Sequence, residues 1–220
     1  MTSQELFAFD KQYKQAVAGT DEAGRGPGAG GVFAAAVYFV GSGKYNGKNE
    51  ITSGLIKDLE VLNDSKKLTP KKRDSIYDVI LNNTLNKIIC TEVDEIEQIN
   101  ILNSSLKAMN IACSSIMQEG ALTLVDGNKL IRNYVYPQQY IIKGDSKSAS
   151  IAAASILAKV TRDRYMLKLH EEFPMYNWAK NAGYLTKEHI NAIDKYGLTK
   201  YHRPSFLRKH FEQVKQLSLI

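Results

Sequence analysis

An apolar run, GGVFAAAVYFV at residues 30–40, follows directly on the glycine-rich segment GTDEAGRGPGA at residues 19–29. A continuous apolar run of this length, bounded by glycines, predicts a strand that is buried on both faces. The preceding segment, 15–21, has the composition of a second strand, so the glycine-rich turn between them predicts a β-hairpin. Two adjacent carboxylates, Asp21 and Glu22, stand where the first strand enters that turn.

The rest of the chain alternates strands with helices, which predicts an α/β fold with a mixed β-sheet flanked by helices. One helix is expected to begin at Pro70, because proline is favourable at the first helical position. Apolar residues at spacings of four and three between residues 102 and 116 predict an amphipathic helix. We expect a core at residues 1–173 and, packed on it, a C-terminal helical extension at residues 174–220. Further strands are predicted at residues 85–93, 121–127 and 139–145.

The composition is that of an ordinary globular protein. Of its 220 residues, 44% are hydrophobic and 24% are charged, and the chain is long enough to bury one sizeable core. No apolar run reaches the length of a membrane span, and the N-terminus is too polar for a signal peptide, so we expect a cytoplasmic protein with no membrane partner.

Cys90 and Cys113 show no metal or disulfide spacing, and both are expected to be buried as small hydrophobic residues.

The basic residues are concentrated in two clusters, at residues 66–73 and 143–164. The net charge of +6 and the pI near 9.1 favour a polyanionic partner. Each cluster could bind phosphates or form a solvated helix face, and the sequence alone leaves both interpretations open. The clusters consist of Lys66, Lys67, Lys71, Lys72 and Arg73, and of Lys143, Lys147, Lys159, Arg162 and Arg164.

Three aspartates, Asp21, Asp126 and Asp145, each stand where a predicted strand stops. Side chains at the strand ends of an α/β sheet can converge on one site. Converging carboxylates repel one another unless a cation neutralises them, and hard divalent cations such as Mg²⁺ or Mn²⁺ prefer oxygen ligands. Glu22 can join Asp21 only where the strand breaks into the turn, because neighbours on a strand point to opposite faces. The alternative, that these aspartates cap helices or fix turns, is strongest for Asp145.

The motif DEAGRG at residues 21–26, with its flanking strands, resembles the opening signature of ribonuclease HII, a family with the ribonuclease H fold. Later blocks follow in the family's order, and the resemblance covers residues 15–206. The chain departs from the family at Gly31, where proline is usual, and Asp21 comes too early for the extra N-terminal domain of the related ribonuclease HIII. The later blocks are NDSKKL (63–68), LVDGN (124–128), KGDSKS (143–148), AAASILAKVTRDR (152–164), GYLTKEH (183–189) and HRPSF (202–206).

The resemblance implies an endonuclease that cleaves the RNA of RNA–DNA hybrids and nicks duplex DNA at single ribonucleotides. It implies hydrolysis on the 5′ side of the ribonucleotide, which leaves a 3′-hydroxyl and a 5′-phosphate, with two divalent ions assisting an in-line attack. Asp21 would bridge the two ions, and Glu22, Asp126 and Asp145 would complete their coordination. Oxygen ligands of this kind do not distinguish Mg²⁺ from Mn²⁺.

The resemblance also implies the substrate-binding residues. Gly24 and Gly26 would let the backbone approach a 2′-hydroxyl closely, and Arg25 would hold the adjoining phosphate. Tyr184 would stack on a sugar at the same RNA–DNA junction, although an ordinary half-buried tyrosine is the alternative. Further substrate contacts, which position nucleic acid without specifying its sequence, are assigned to Lys66, Lys67, Lys143 and Ser146.

Other interpretations concern single residues and the C-terminus. Asp163 is expected to be a supporting charge paired with Arg162 or Arg164, and His202 is expected to be structural. The C-terminal QLSLI, Gln216–Ile220, resembles short peptides that dock on bacterial sliding clamps, and a frayed helix end is the alternative.

The sequence alone leaves two other functions open. One is a non-catalytic nucleic-acid-binding module of the same fold, against which the four carboxylates argue. The other is a nuclease of the integrase or exonuclease type, against which the glycine–arginine–glycine turn argues.

Overall fold

The computed structural model describes residues 2–39, 53–63, 65 and 68–217. The strands of this described chain form one mixed sheet, and the mixed sheet that the sequence predicts is confirmed. The strands are β1 (Val17–Ala23), β2 (Val32–Phe39), β3 (Thr84–Thr91), β4 (Leu122–Asp126) and β5 (Gln138–Ile141). Their order is β3-β2-β1-β4-β5, in which β2 is antiparallel to both β1 and β3, and β4 is parallel to both β1 and β5.

The predicted hairpin of β1 and β2 is confirmed. The two strands pair antiparallel, with Asp21 opposite Ala35. Every residue of β2 is buried, because its alternate side chains enter different apolar clusters on the two faces of the sheet. Ala35 and Val37 belong to one cluster, whereas Ala34 and Ala36 belong to the other.

Helices cover both faces of the sheet. Met109 and Cys113 pack against one face, and the alanines of a long helix pack against the other. An added Cβ on Gly19 of β1 would lie 2.2 Å from the backbone nitrogen of Ile151, so the strand and this long helix touch through their backbones. None of the helices in the described ranges is long and apolar enough to cross a membrane. The helices are α1 (Ser3–Asp10), α2 (Ser53–Asp58), α3 (Pro70–Asn83), α4 (Val93–Ile99), α5 (Ile101–Ile116), α6 (Ala149–Glu172), α7 (Trp178–Asn181), α8 (Lys187–Tyr196) and α9 (Pro204–Leu217).

Several elements differ from the sequence prediction. The predicted strand at residues 139–145 is too long, because β5 ends at Ile141 and Lys143 then adopts a left-handed conformation with φ 55°. The helices α1, α2 and α4 escape prediction because none exceeds about two turns, too short to show helical periodicity. Cys113 is buried as predicted, whereas Cys90 is partly exposed and its thiol donates to Oε1 of Glu92 at 3.3 Å.

The C-terminal helices pack on the second half of α6. Trp178 is fully buried and stacks on Tyr176 with a centroid distance of 5.0 Å. Both rings share an apolar cluster with Met166 of α6 and Leu207 of α9. The division into a core at residues 1–173 and an extension at residues 174–220 stays a prediction.

Candidate active site

The hairpin and β4 bring three carboxylates to one edge of the sheet. In the parallel pairing of β1 with β4, Thr20 lies opposite Val125, so Asp21 and Asp126 are the next residues on adjacent strands. Asp21 is only 5% exposed. Burial raises the pKa of its carboxyl well above the usual range, and the charges of Glu22 and Asp126 raise that pKa further. Glu22 and Asp126 are therefore both close enough to Asp21 for their charges to act on it.

Asp145 also lies at this edge, but in a structural element that the sequence does not predict. It lies in a 3₁₀ turn, Gly144–Ser146, that follows β5, and not at the end of the strand. Oδ1 of Asp126 accepts hydrogen bonds from the N–H groups of Gly144 (2.7 Å) and Asp145 (3.3 Å). Asp126 thus fixes the turn on which Asp145 stands.

The donor chemistry of this edge fits a hard divalent cation. Asp21 is a buried carboxylate beside two other carboxylates, and a cation would relieve their mutual repulsion. As the side chains stand, no three Asp, Glu, His or Cys residues of the described ranges are arranged to hold one metal ion. The carboxylates would have to turn toward an ion, and the metal site of Asp21, Glu22, Asp126 and Asp145 stays a prediction.

Two side chains pack against the glycine-rich turn. Gly24 has φ 99°, and a Cβ there would lie 2.1 Å from Nε of Arg162, so only glycine fits. A Cβ on Gly26 would lie 3.3 Å from Cε1 of Tyr184, which places the tyrosine ring against the turn. Tyr184 is 53% exposed. The structure therefore brings Tyr184 beside a turn from which it is distant in sequence.

One open cleft of about 670 Å³ contains both the turn and the first two carboxylates. Inside it, Glu22 pairs with Arg25 at 3.0 Å. Sequence reasoning missed Ile101, which carries no sequence signal, and Phe206, for which the HRPSF block was the only signal. The residues that line the cleft are Asp21, Glu22, Ala23, Gly24, Arg25, Gly26, Ser65, Ile101, Ser155, Lys159, Arg162, Tyr184 and Phe206.

Ser155 is a further cleft residue to which the sequence analysis assigned no role. Its side chain hydrogen-bonds to Asp21, and its oxygen lies 2.8 Å from the hydroxyl oxygen of Ser65. This hydrogen bond lowers the pKa of Asp21, so Ser155 donates to the carboxyl and can accept from Ser65. These hydrogen bonds connect the NDSKKL segment to Asp21. The one signal in the sequence is a serine within the alanine face of α6.

The predicted phosphate-binding residues are only partly placed. Lys66 and Lys67 lie outside the described residues. Lys143 and Ser146 flank Asp145 on its turn, where the hydroxyl of Ser146 donates to the carbonyl of Lys143 at 2.9 Å. Neither lines the cleft as it stands.

Asp163 has other partners than those that the sequence predicts. Its carboxylate pairs with Lys159 (2.6 Å) and Arg73 (3.6 Å), and the predicted ion pairs with Arg162 or Arg164 are absent from the described chain. Lys159 is one helical turn away and so shares its face of α6. Arg73 and Arg162 are themselves buried, so neither basic cluster is a continuous solvated surface.

Comparisons with known proteins agree with this architecture. A family model described as Ribonuclease HII matches residues 18–214. A ribonuclease HII from Rickettsia africae is 47% identical over 203 residues, which cover 92% of this chain and 97% of that protein. The ribonuclease H2 structure of Pyrococcus horikoshii has a TM-score of 0.70 at 24% identity and covers 90% of this chain and 98% of that one. Ribonuclease HII of Archaeoglobus fulgidus, solved in a complex with PCNA, has a TM-score of 0.68 at 21% identity, over 86% of this chain and 93% of that one.

Proposed function

This chain belongs to the ribonuclease HII family, and we propose that it also recognises and cuts at single ribonucleotides in duplex DNA. As a family member it hydrolyses the RNA of RNA–DNA hybrids. The proposed cut lies on the 5′ side of the ribonucleotide and leaves a 3′-hydroxyl and a 5′-phosphate. In the cytoplasm, this activity would serve to remove ribonucleotides from DNA.

The observation that carries the proposal is the set of backbone N–H groups in the glycine–arginine–glycine turn inside the cleft. Outside the sheet ladder, the N–H groups of Gly24, Arg25 and Gly26 make no backbone hydrogen bond within the described chain. A 2′-hydroxyl is both donor and acceptor, so free backbone groups can read it directly. Tyr184, which lies against Gly26, would stack on the sugar of the same junction.

We assign the metal site to Asp21, Glu22, Asp126 and Asp145. Two Mg²⁺ or Mn²⁺ ions, when bound, would activate the attacking water and stabilise the leaving oxygen. Asp21 is the residue that we assign to both ions. It is held by the Ser155 hydroxyl and by the N–H of Glu22, which donates to Oδ1 at 2.7 Å.

The phosphate contacts are proposed from charge and position. Arg25 lies in the cleft, and Lys143 and Ser146 flank the Asp145 turn, so all three can contact the strand that passes the carboxylates. Lys66 and Lys67 are proposed from the family resemblance alone. Contacts of this kind position the nucleic acid and leave its sequence unread.

A single experiment tests the proposed function. A DNA duplex with one ribonucleotide, incubated with the protein and Mg²⁺ or Mn²⁺, should be nicked once on the 5′ side of the ribonucleotide. A polymerase should extend the 3′ end, and a phosphatase should remove the 5′-phosphate. An all-DNA duplex of the same sequence is the control and should stay intact. Binding without cleavage would indicate a non-catalytic module, and equal cleavage of the control would indicate a nuclease with another substrate.

The C-terminal segment Gln216–Ile220 is proposed to dock on a sliding clamp. The Archaeoglobus protein that was solved with PCNA supports a clamp partner for this fold. Helix α9 ends at Leu217, and residues 218–220 lie outside the described chain. Purified bacterial clamp should retain the full chain and should lose it when residues 216–220 are deleted. Equal retention of both proteins would remove the proposal.

A further inference from the structure

Two arginines, Arg162 and Arg203, lie buried behind the glycine-rich loop, residues 24–31. Their exposed fractions are 2% and 0%. Arg162 belongs to α6, and Arg203 directly precedes α9. Burial, followed by the nearby charge of Arg162, lowers the pKa of Arg203 to about 10. Two adjacent buried cations are unfavourable unless many acceptors surround them.

Backbone carbonyls of the loop supply the acceptors of Arg203. Its guanidinium donates to the carbonyls of Arg25 (3.4 Å), Pro27 (2.9 Å) and Gly30 (2.8 and 2.6 Å). Its own N–H donates to the carbonyl of Gly28 at 2.8 Å. Arg203 therefore turns four of the eight carbonyls of the loop toward the protein interior.

Arg162 connects the same loop to the turn that carries Tyr184. It donates to the carbonyls of Ala29 (3.0 Å) and Gly31 (3.2 Å) and, through its third nitrogen, to that of Ala182 (3.0 Å). In the described chain, neither this arginine nor Arg203 forms an ion pair with a carboxylate. The planar fork of donors on each guanidinium is bonded to backbone carbonyls instead.

Inward carbonyls determine where the N–H groups of the loop point. In a trans peptide unit the C=O and the N–H point in opposite directions. The carbonyl of Arg25 is held by Arg203, so the N–H of Gly26 is directed away from Arg203. The ring of Tyr184 lies beside the same glycine. The orientation of the N–H groups that we propose to contact the 2′-hydroxyl thus depends on the guanidinium of Arg203, which lies behind the loop.

We propose that Arg162 and Arg203 are positioning residues for ribonucleotide recognition, which hold the Gly24–Gly26 backbone and the Tyr184 turn in one fixed arrangement. The inference rests on the proposed function of the cleft. A single ribonucleotide has one 2′-hydroxyl, so the duplex can bind productively in only one position relative to the loop. A continuous RNA strand presents a 2′-hydroxyl to the loop in every position. A loosened loop should therefore impair cleavage at a single ribonucleotide far more than cleavage of a continuous RNA strand.

Arg203→Lys tests the inference, because lysine keeps the charge and loses the planar fork. Nicking at a single ribonucleotide should fall by about 100-fold, as expected for misplaced binding groups, and cleavage of a long RNA–DNA hybrid by less than about tenfold. Amide hydrogen exchange at residues 24–31 should accelerate by about tenfold, with β4 unchanged. Arg208→Lys makes the same change at an exposed position of α9 and should alter none of these quantities.

The outcomes separate this inference from the proposed function. If Arg203→Lys changes neither the ratio of the two cleavage rates nor the exchange of the loop, the inference is overturned. If that variant does not fold, Arg162→Lys carries the same expectations, with faster exchange at residues 182–184 as well. If the unmodified protein cuts hybrids and ignores single ribonucleotides, the proposed function fails, and the exchange measurement alone decides whether the arginines hold the loop.

Discussion

Asparagine in place of Asp21 is expected to abolish cleavage and, at the same time, to stabilise the folded chain. We expect the rate on both substrates to fall by at least about 1,000-fold, because a neutral amide would not hold the cations that we propose Asp21 to bind. Single-turnover assays with Mg²⁺ and with Mn²⁺ would measure the loss. Asp78→Asn, at an exposed position of α3, is the matched control and should keep full activity.

The gain in stability follows from the surroundings of Asp21. Its carboxyl is buried, and both burial and the charges of Glu22 and Asp126 disfavour its ionised form. Asparagine has the same shape and keeps the Oδ1 acceptor for the N–H of Glu22. We expect the free energy of unfolding to rise by about 1–2 kcal/mol, a usual gain when a local conflict is removed. Urea denaturation with a chelator present would measure it, and a loss of stability would contradict this account.

Metal binding gives a readout of the same site that does not depend on catalysis. A cation that binds only the folded chain raises its melting temperature. We therefore expect Mn²⁺ to raise the Tm of the unmodified protein and of Asp78→Asn, and to have a much smaller effect on Asp21→Asn. Equal shifts in all three proteins would show that Asp21 is not a ligand, whatever its effect on cleavage.

The features that could be predicted from the sequence are those that depend on neighbouring residues. The hairpin follows from an apolar run beside glycines. The end of its first strand was predicted two residues early, because β1 continues through Glu22 to Ala23, which pair with Ala34 and Phe33. Asp126 was predictable at a strand end, because β4 has the sequence LTLVD, mostly apolar up to that point, and a glycine follows. Local patterning was sufficient to predict the hairpin and the position of Asp126.

The features that could not be predicted depend on single dihedral angles or on long-range contacts. The placement of Asp145 depends on the left-handed conformation of Lys143, which no pattern indicates. Arg203 bonds to Gly30, which is 173 positions away in the chain, and Arg162 was part of an apparent surface cluster. Composition counts charges and does not reveal which of them the fold buries against backbone carbonyls.

A second large effect is expected from a buried histidine pair, His189 and His202, that supports the Tyr184 turn. Nδ1 of His202 accepts from the N–H of Thr199 at 2.9 Å, so Nε2 carries the proton and donates to Nε2 of His189 at 3.1 Å. Nε2 of His189 also accepts from Nε1 of Trp178 at 3.0 Å. Nδ1 of His189 therefore carries its proton and donates to the carbonyl of Tyr184 at 2.9 Å. Every ring nitrogen is satisfied only while both rings are neutral.

Acid should therefore destabilise the chain in a defined range of pH. Burial, with a contribution from His189, lowers the pKa of His202 from 6.5 to about 4, and burial also lowers the pKa of His189. The unfolded chain then binds more protons than the folded chain between these values. The stability that His202 contributes is complete above about pH 6.5 and is lost as the pH falls toward about 4, a total of about 3 kcal/mol.

Urea denaturation at a series of pH values between about 8 and 4 would measure this loss. His202→Gln removes the titrating group, so its free energy of unfolding should start lower at about pH 8 and decline less toward about pH 4. His170→Gln is the control, because it replaces a histidine and leaves the buried pair intact. Parallel curves for His202→Gln and the unmodified protein would contradict the assignment. His189 donates to the carbonyl of Tyr184, so hydrogen exchange at residues 182–184 should accelerate over the same range of pH. That result would connect the buried histidine pair to the proposed ribonucleotide-binding site.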